Sequence, residues 1–360
     1  MAHDVSSGGR SPAITTPLEY QVVERLYLGP YDAVYRVREL KDGRTLLLTT
    51  TPWSVTRHDQ GLIPEEETIL QLIGAKYRVV PDGLILQDMG GRPLRELIPA
   101  GGMGLTEALW IAAGLANRIR ELHEVRVVHR DIHPGNILVN LDSCGVDLIS
   151  HGCASRVPRE TRQRVHPEQL HRTLEYISPE QTGRMNRAID YRTDLYSLGV
   201  VLYELLTGLP PFVGEDPAEL VHAHIARSPE APGRARPDLP APLSGLVLKL
   251  LAKNAEDRYQ SSVGVLADLE TCAMTLALQG EIAPFELCQN DFHERVRAPQ
   301  KLYGRETERE LLLETLQRVA RSKKPELALI SGTSGIGKTS LVQEMHKPVT
   351  ERRGWFIVGK

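Results

Sequence analysis

The segment Val-Val-His-Arg-Asp-Ile-His-Pro-Gly-Asn, residues 127–136, contains two residue types that could act on a hydroxyl group and a metal ion. Asp131 could accept the proton of an attacking hydroxyl group, and Asn136, five residues later, could offer its amide oxygen to Mg²⁺. Apolar residues flank the segment on both sides, which favours a loop between two short strands. The pattern predicts phosphoryl transfer with Asp131 as the base and Asn136 as a metal ligand.

A second segment reads Gly-Thr-Ser-Gly-Ile-Gly-Lys-Thr and satisfies the pattern G-x-x-x-x-G-K-[ST] in full. Its glycines let backbone amides approach phosphate groups, its lysine reaches the β- and γ-phosphates, and its hydroxyl binds Mg²⁺. The apolar run Leu327–Ser331 predicts a strand before this loop, and Lys338–Met345 predicts a helix after it. The predicted ATP- and Mg²⁺-binding residues are Gly332, Gly335, Gly337, Lys338 and Thr339.

Elements of two kinds must position these motifs. Short β-rich runs come first, then helical patterns, an order that predicts an α+β fold with a β-rich lobe and a helical lobe. The predicted strands of the first block are Tyr20–Leu28, Ala33–Arg38 and Thr45–Thr50. A helix is predicted from Pro64 and the acidic residues after it, since proline and carboxylates suit a helix N-terminus.

Composition narrows the class of protein. The 360 residues are 41% hydrophobic and 25% charged, as in ordinary globular proteins, with a net charge of −3. Without a basic excess, nucleic acid is not expected as a partner. No apolar stretch approaches the about 20 residues that span a bilayer. Residues 1–19 lack the apolar core of a signal peptide, so we predict a disordered N-terminus and a cytoplasmic protein.

Further motifs follow the first segment in a fixed order. They are Ser178-Pro179-Glu180, Asp194, Gly208 to Phe212 and Asp257-Arg258. With the His-Arg-Asp segment they make residues 20–272 resemble a eukaryotic-like serine/threonine protein kinase domain. The resemblance implies a two-lobed kinase fold and transfer of the ATP γ-phosphate to protein hydroxyl groups. It also implies that Glu180 pairs with Arg258 and that Asp194 braces the catalytic loop.

The glycine-rich hairpin of that family is degraded here. Its pattern G-x-G-x-x-G-x-V, aligned on Val34, places Tyr27, Gly29 and Asp32 at the three glycine positions. Only Gly29 is retained, and with Val34 it is the predicted remnant of the nucleotide-binding hairpin. Asp32 is expected to direct a negative charge toward the phosphates.

Three further positions depart from the family pattern. Thr49 stands where the strand lysine is expected, Ser150 replaces the metal-binding aspartate of D-F-G, and His133 replaces the loop lysine. Glu66, the predicted partner of the missing strand lysine, is expected to lack a partner. Because phosphoryl transfer depends on neutralising phosphate charge, these changes together predict a pseudokinase or a severely impaired kinase.

The second motif lies in a separate domain. Residues 273–300 lose periodicity and predict a connector, and residues 301–360 resemble the start of a STAND- or AAA-type P-loop ATPase. No acidic strand follows the P-loop, so we expect a truncated ATPase domain. The order of domains resembles bacterial multi-sensor hybrid proteins, which implies ATP, an unknown protein substrate or signalling partner, and a histidine kinase module as partners.

Three functions remain open. The first is an impaired kinase domain that regulates the ATPase domain behind it. The second is an active serine/threonine kinase that uses Asp131 and Asn136 with unusual lysine or metal chemistry. The third is a nucleotide-dependent scaffold that works through Lys338 and the P-loop.

Overall fold

The computed structural model describes most of the chain. The described residues are 19–29, 32–50, 62–80, 83–156, 173–185, 187–292, 304–333, 336–352, 354 and 356. Residues 1–18 of the predicted disordered N-terminus, 293–300 of the predicted connector, and Gly335 of the P-loop lie outside them. The chain divides into two compact units, residues 1–90 with 149–153, and residues 91–148 with 154–360.

The first unit is built on an antiparallel sheet with the strand order β1-β2-β3-β5-β4. Its elements are β1 (Tyr20–Leu28), β2 (Ala33–Glu39), β3 (Thr45–Thr50), helix α1 (Leu62–Leu72), β4 (Tyr77–Val80) and β5 (Gly83–Gln87). Alternation along β2 places Tyr35 and Val37 in the core, while Arg36 bonds to Asp88 at 2.6 Å. The three predicted strands and the predicted helix are confirmed.

The described residues of the second unit include five short strands in two sheets, with the orders β6-β8-β9 and β10-β7. The strands are β6 (Arg92–Pro93), β7 (Val127–Val128), β8 (Ile137–Asn140), β9 (Gly145–Leu148) and β10 (Ser155–Arg156). The His-Arg-Asp segment connects β7 with β8. The loop between two strands that its flanking residues predicted is therefore confirmed.

Helices form the rest of the second unit. They are α2 (Leu105–Glu124), α3 (Arg192–Thr207), α4 (Pro217–Ala226), α5 (Pro232–Ala235), α6 (Ala241–Leu250), α7 (Ser262–Gln279), α8 (Glu306–Ser322), α9 (Lys338–Gln343) and α10 (His346–Glu351). Helix α2 buries one apolar face, whereas α3 is buried along nearly its whole length. Helix α3 packs against both α2 and α6, so it forms the centre of the core.

An ion pair stabilises this helical core. Arg258 donates two hydrogen bonds to the Glu180 carboxylate, at 2.7 and 2.9 Å, and both side chains are buried. Burial alone would raise the pKa of Glu180, but Arg258 and its hydrogen bonds lower it to about 2. The pairing implied by the kinase resemblance is thus confirmed.

Helix α7 continues to Gln279, seven residues beyond the predicted domain boundary at Cys272. The residues after it also pack on the unit. Asp291 accepts hydrogen bonds from Gln260 N at 2.7 Å and from Ser261 Oγ at 2.8 Å. The predicted connector therefore begins with a helical end and an ordered segment that is anchored by side-chain hydrogen bonds.

The predicted strand Leu327–Ser331 is wrong. Leu327 and Leu329 are 94% and 90% exposed, and neither lies in a strand. A strand needs a neighbour to satisfy its backbone groups, and the described residues from 304 onward include no strand that could pair with it.

No helix among the described residues is long and apolar enough to cross a lipid bilayer.

Candidate functional site

The loop that carries Asp131 is held by a buried aspartate from the start of helix α3. Asp194 Oδ2 accepts a hydrogen bond from His129 N at 2.9 Å, and Oδ1 accepts one from Arg130 N at 2.8 Å. His123 Nε2 lies 3.0 Å from Asp194 Oδ2. Arg130 has a φ of 69°, a strained backbone conformation that these bonds support. The role implied for Asp194, bracing the catalytic loop, is confirmed.

Asn136 folds back onto the same loop. Its Nδ2 donates to the carbonyl of Asp131, and its Oδ1 accepts from His133 N at 3.2 Å. The side chain is fully buried. The two predicted residues, Asp131 and Asn136, are therefore brought together, and the amide oxygen that would bind Mg²⁺ already accepts one hydrogen bond.

His133 supplies no fixed positive charge at the loop-lysine position. Burial lowers the pKa of His133, although Asp131 acts in the opposite direction. Its Nδ1 accepts a hydrogen bond from Gly135 N at 3.0 Å, so the neutral ring carries its proton on Nε2. That nitrogen lies 3.8 Å from Asp131 Oδ2.

Two residues near this loop were missed by sequence reasoning. Gln181 Nε2 donates to the Arg130 carbonyl at 2.7 Å, and the Arg95 backbone N donates to the Pro134 carbonyl at 3.0 Å. The Arg95 guanidinium also contributes to the lowered pKa of His133. Gln181 stands three residues after Ser178, the spacing of a capping box, but that motif does not indicate its contact with the Arg130 carbonyl. Arg95 forms part of no spaced motif.

In the first unit the degraded positions form a buried cluster. Ser150 Oγ donates a hydrogen bond to Asp32 Oδ1 at 2.9 Å. Asp32 is 4% exposed and Ser150 is 3% exposed. One carboxylate oxygen of Asp32 therefore accepts the serine hydroxyl within the protein, and the effect of Asp32 on bound phosphates stays a prediction.

Glu66 belongs to the same cluster. Its Oε1 accepts a hydrogen bond from the backbone N of His151 at 3.4 Å, so the expectation that Glu66 lacks a partner is wrong. Burial, with the nearby Asp32 carboxylate, raises the pKa of Glu66 to about 8. The residue therefore carries a proton at neutral pH, which reduces the cost of burying two carboxyl groups together.

The remaining predicted positions of this unit lie on the hairpin and its neighbouring strand. Thr49 is buried and pairs with Val34 across β2 and β3. Gly29 lies under the Tyr27 ring, since a Cβ at Gly29 would be 2.3 Å from the Tyr27 hydroxyl. Glycine is required at 29 for packing against Tyr27, whatever else it contributes.

Position 49 carries no lysine and position 150 no aspartate, the two groups that neutralise and orient the phosphates of ATP in protein kinases. Thr49 is neutral where a cation is needed, the Ser150 hydroxyl is engaged by Asp32, and Glu66 adds a second carboxyl group. Mg²⁺ binds carboxylate and phosphate oxygens, and a hydroxyl group already donating to Asp32 is a poor substitute.

The P-loop has a geometry that does suit phosphate. Lys338 Nζ donates to the carbonyls of Gly332 and Thr333, at 2.7 and 2.8 Å, so its ammonium group lies across the loop. Gly337 has a φ of 94°, a conformation that favours glycine. Thr339 lies exposed in the first turn of α9. These residues fit a nucleotide phosphate, for which Lys338 and Thr339 would supply the charge and the Mg²⁺-binding hydroxyl.

Comparison with known families agrees with both motifs. Residues 65–266 match the model of the protein kinase domain, and residues 301–360 match that of the AAA ATPase domain. Both kinds of domain generally use ATP with Mg²⁺. A solved structure, the autoinhibited serine kinase domain of the giant muscle protein titin, shares the fold at a TM-score of 0.57. The two are 20% identical, over 72% of this chain and 83% of that one.

Curated relatives match the kinase part. Hybrid signal transduction histidine kinase G of Dictyostelium discoideum is 39% identical over 209 residues, which cover 52% of this chain and 6% of the relative. Serine/threonine-protein kinase PknB of Mycolicibacterium smegmatis is 33% identical over 187 residues, 52% of this chain and 29% of the relative. Probable serine/threonine-protein kinase CE0033 of Corynebacterium efficiens is 32% identical over 225 residues, 61% of this chain and 33% of the relative.

These alignments span between 6% and 33% of the relatives' own length. They nevertheless agree with the family models, the motif order and the fold. The predictions of a two-part kinase fold and of a following P-loop ATPase domain are confirmed. The chain belongs to the protein kinase domain family and carries an AAA ATPase domain after its kinase domain.

Proposed function

We propose that the kinase domain transfers phosphate poorly or not at all, and that it serves as a regulatory module for the P-loop ATPase domain. The observation that carries this proposal is the buried Ser150–Asp32 hydrogen bond beside the protonated Glu66. In an active kinase a lysine and an aspartate neutralise and orient the ATP phosphates. Here that region holds two carboxyl groups and a hydroxyl group, and Thr49 supplies no charge.

The size of the expected defect follows from electrostatics. Removing one preorganised group that stabilises developing charge costs about 10²–10³ in rate. Loss of both the strand lysine and the metal aspartate would reduce phosphotransfer far below that of an active kinase. The neutral His133 removes a further cation from the catalytic loop.

The alternative is an active serine/threonine kinase. The geometry of the loop favours it, because Asp194 holds the backbone before Asp131 and Asn136 bonds to the Asp131 carbonyl. In that function Asp131 would accept the proton of a protein hydroxyl group, and the Arg95 guanidinium, whose charge acts on His133, would supply a fixed positive charge near the loop.

In the proposed function ATP binds at the P-loop, through Lys338 and Thr339. The carbonyls of Gly332 and Thr333, which now accept from Lys338, would yield the ammonium group to the phosphates. The partner would be a signalling protein or a histidine kinase module, as in the hybrid histidine kinase that the kinase part resembles.

The test measures nucleotide binding and phosphotransfer in the full chain. We expect one ATP-binding event that disappears in Lys338→Ala, and incorporation of γ-phosphate no higher in the wild type than in Asp131→Asn. Asp142→Asn is the matched control, because Asp142 lies in an exposed turn. Phosphotransfer that is lost in Asp131→Asn but kept in Asp142→Asn would contradict the proposal and support the active kinase.

A further inference from the structure

A cavity lies where the chain that follows the P-loop meets helix α4. Its volume is about 220 Å³. Its walls are formed by Arg184, Asp216, Ala218, Glu219, His222, Thr350 and Gly354. The first five belong to the kinase domain and the last two to the end of the P-loop segment, so the cavity marks a contact between the two domains. Helix α10 packs directly against α4 beside it.

Part of the described P-loop segment is buried. Leu341, Met345 and Thr350 are buried, whereas α8, which precedes the P-loop, has no buried residue. Helix α10 therefore packs against α4, whereas α8 remains exposed. A short helix pair gains most of its stability from such packing.

The P-loop and α10 are joined without an intervening flexible loop. Leu341 N donates to the Gly337 carbonyl at 2.9 Å, so α9 begins on a glycine of the P-loop. Met345 N donates to the Val342 carbonyl, and Val349 N donates to the Met345 carbonyl, both at 3.1 Å. These bonds make one continuous path from the phosphate-binding loop to the surface of α4.

Other residues of α4 belong to the core of the kinase domain. Val221 and Ile225 share a hydrophobic cluster with Leu174 and Ile177, which lie just before Ser178-Pro179-Glu180. His224 Nδ1 lies 2.9 Å from the Tyr196 hydroxyl of α3. Helix α4 is thus packed against α10 and against core residues of the kinase domain.

We propose that the surface of α4 that lines the cavity and contacts α10 is the docking surface of the P-loop segment, and that nucleotide binding at Lys338 affects the kinase domain through the α10–α4 contact. The inference rests on nucleotide binding at the P-loop, as proposed above. Because coupling between two sites is reciprocal, breaking the contact must also change nucleotide affinity by the same factor.

The experiment is hydrogen–deuterium exchange of the full chain, with and without a non-hydrolysable ATP analogue and Mg²⁺. We expect the analogue to slow exchange at residues 332–343 and also at α4, residues 217–226. Lys338→Ala should abolish both effects. Thr350→Arg, which places a bulky charge in the contact, should abolish the α4 effect and weaken nucleotide affinity by about fivefold.

Ser322→Arg is the matched control, because Ser322 is exposed at the end of α8, and it should leave both readouts unchanged. Glu219→Arg provides a second, exposed substitution on α4 that does not disturb a buried position, and we expect it to reduce the α4 effect. Protection at the P-loop without any change at α4 overturns the inference. Absence of protection at both segments also overturns nucleotide binding at the P-loop. Phosphotransfer that depends on Asp131 contradicts only the proposed impairment of the kinase domain.

Discussion

Ser150 Oγ donates a 2.9 Å hydrogen bond to Asp32 Oδ1, although the two residues are 118 positions apart in the chain. Asp32 occupies a glycine position of the nucleotide-binding hairpin, and Ser150 occupies the position of the metal-binding aspartate. Under the proposed function, we expect each departure alone to weaken ATP binding. Their hydrogen bond indicates that the two changes suit each other, since a serine hydroxyl can donate to a buried carboxylate whereas a second carboxylate cannot.

Restoring aspartate at 150 alone should therefore damage the fold. Ser150→Asp places a new carboxylate against Asp32 and near Glu66, and we expect the free energy of unfolding to fall by about 3 kcal/mol, as for an uncompensated buried charge. The backbone is no obstacle, because Ser150 has a φ of 70°, which aspartate tolerates better than most residues. Urea unfolding measures the change. Ser143→Asp, at an exposed turn, is the control, and equal stability of the two variants would contradict this account.

Glu66 should make the stability of the first unit pH-dependent. Its pKa is about 8 in the fold against 4.5 for the free side chain, so the folded state holds a proton that the unfolded state releases. This contribution is complete below pH 4.5 and is lost as the pH rises to about 8, a change on the order of several kcal/mol. Burial raises the pKa of Glu204, in the second unit, to about 7, so the stability of that unit should also fall as the pH rises.

The effect of Glu66 is isolated by measuring the free energy of unfolding of the wild type and of Glu66→Gln by chemical unfolding from pH 5 to pH 9. The difference between the two values is compared across this range. We expect the wild type to lose stability relative to Glu66→Gln across this range. Glu107→Gln, at an exposed position of α2, should follow the wild type. Parallel curves for wild type and Glu66→Gln would show that Glu66 ionises normally.

The Glu180–Arg258 pair should contribute far more than pairs at the surface. Arg258→Met leaves the Glu180 carboxylate buried without its cation, and we expect a loss of about 3–5 kcal/mol in urea unfolding. Arg92→Met removes an exposed pair with Glu96 and should cost less than about 1 kcal/mol. Because the pKa of Glu180 is lowered to about 2, its contribution is present above pH 4.5 and is lost as the pH falls toward 2. A similar loss in both variants would argue against this role.

The motifs and most elements could be predicted because they depend on local patterns. Strands β1 and β3 have the predicted bounds, Tyr20–Leu28 and Thr45–Thr50, and the predicted residues Asp131 and Asn136 lie together. The Asp32–Ser150 bond could not be predicted, since it joins residues that only the folded sheet brings together. The strand predicted at Leu327–Ser331 failed for a related reason. Its apolar residues specify a strand only where a neighbouring strand is available to pair with it.

The hydrogen bond between Ser150 and Asp32 determines which substitutions should restore phosphotransfer. Thr49→Lys with Ser150→Asp supplies the missing cation and metal ligand, but it leaves Asp32 against the new carboxylate. Adding Asp32→Gly removes that repulsion and restores a glycine to the hairpin. We therefore expect the double variant to remain inactive and the triple variant to gain at least about 10²-fold in γ-phosphate transfer, the value of one such electrostatic group.

The gain must depend on the catalytic loop, so Asp131→Asn in the triple background should abolish it. Asp142→Asn in the same background should preserve the gain, because Asp142 is exposed and has no role in the proposed transfer step. Equal activity of the double and triple variants would show that Asp32 does not oppose the restored aspartate. If the triple variant stays inactive although Mg²⁺ and ATP bind to it, the defect lies in the catalytic loop, where His133 stands in place of lysine and its lowered pKa leaves the ring neutral.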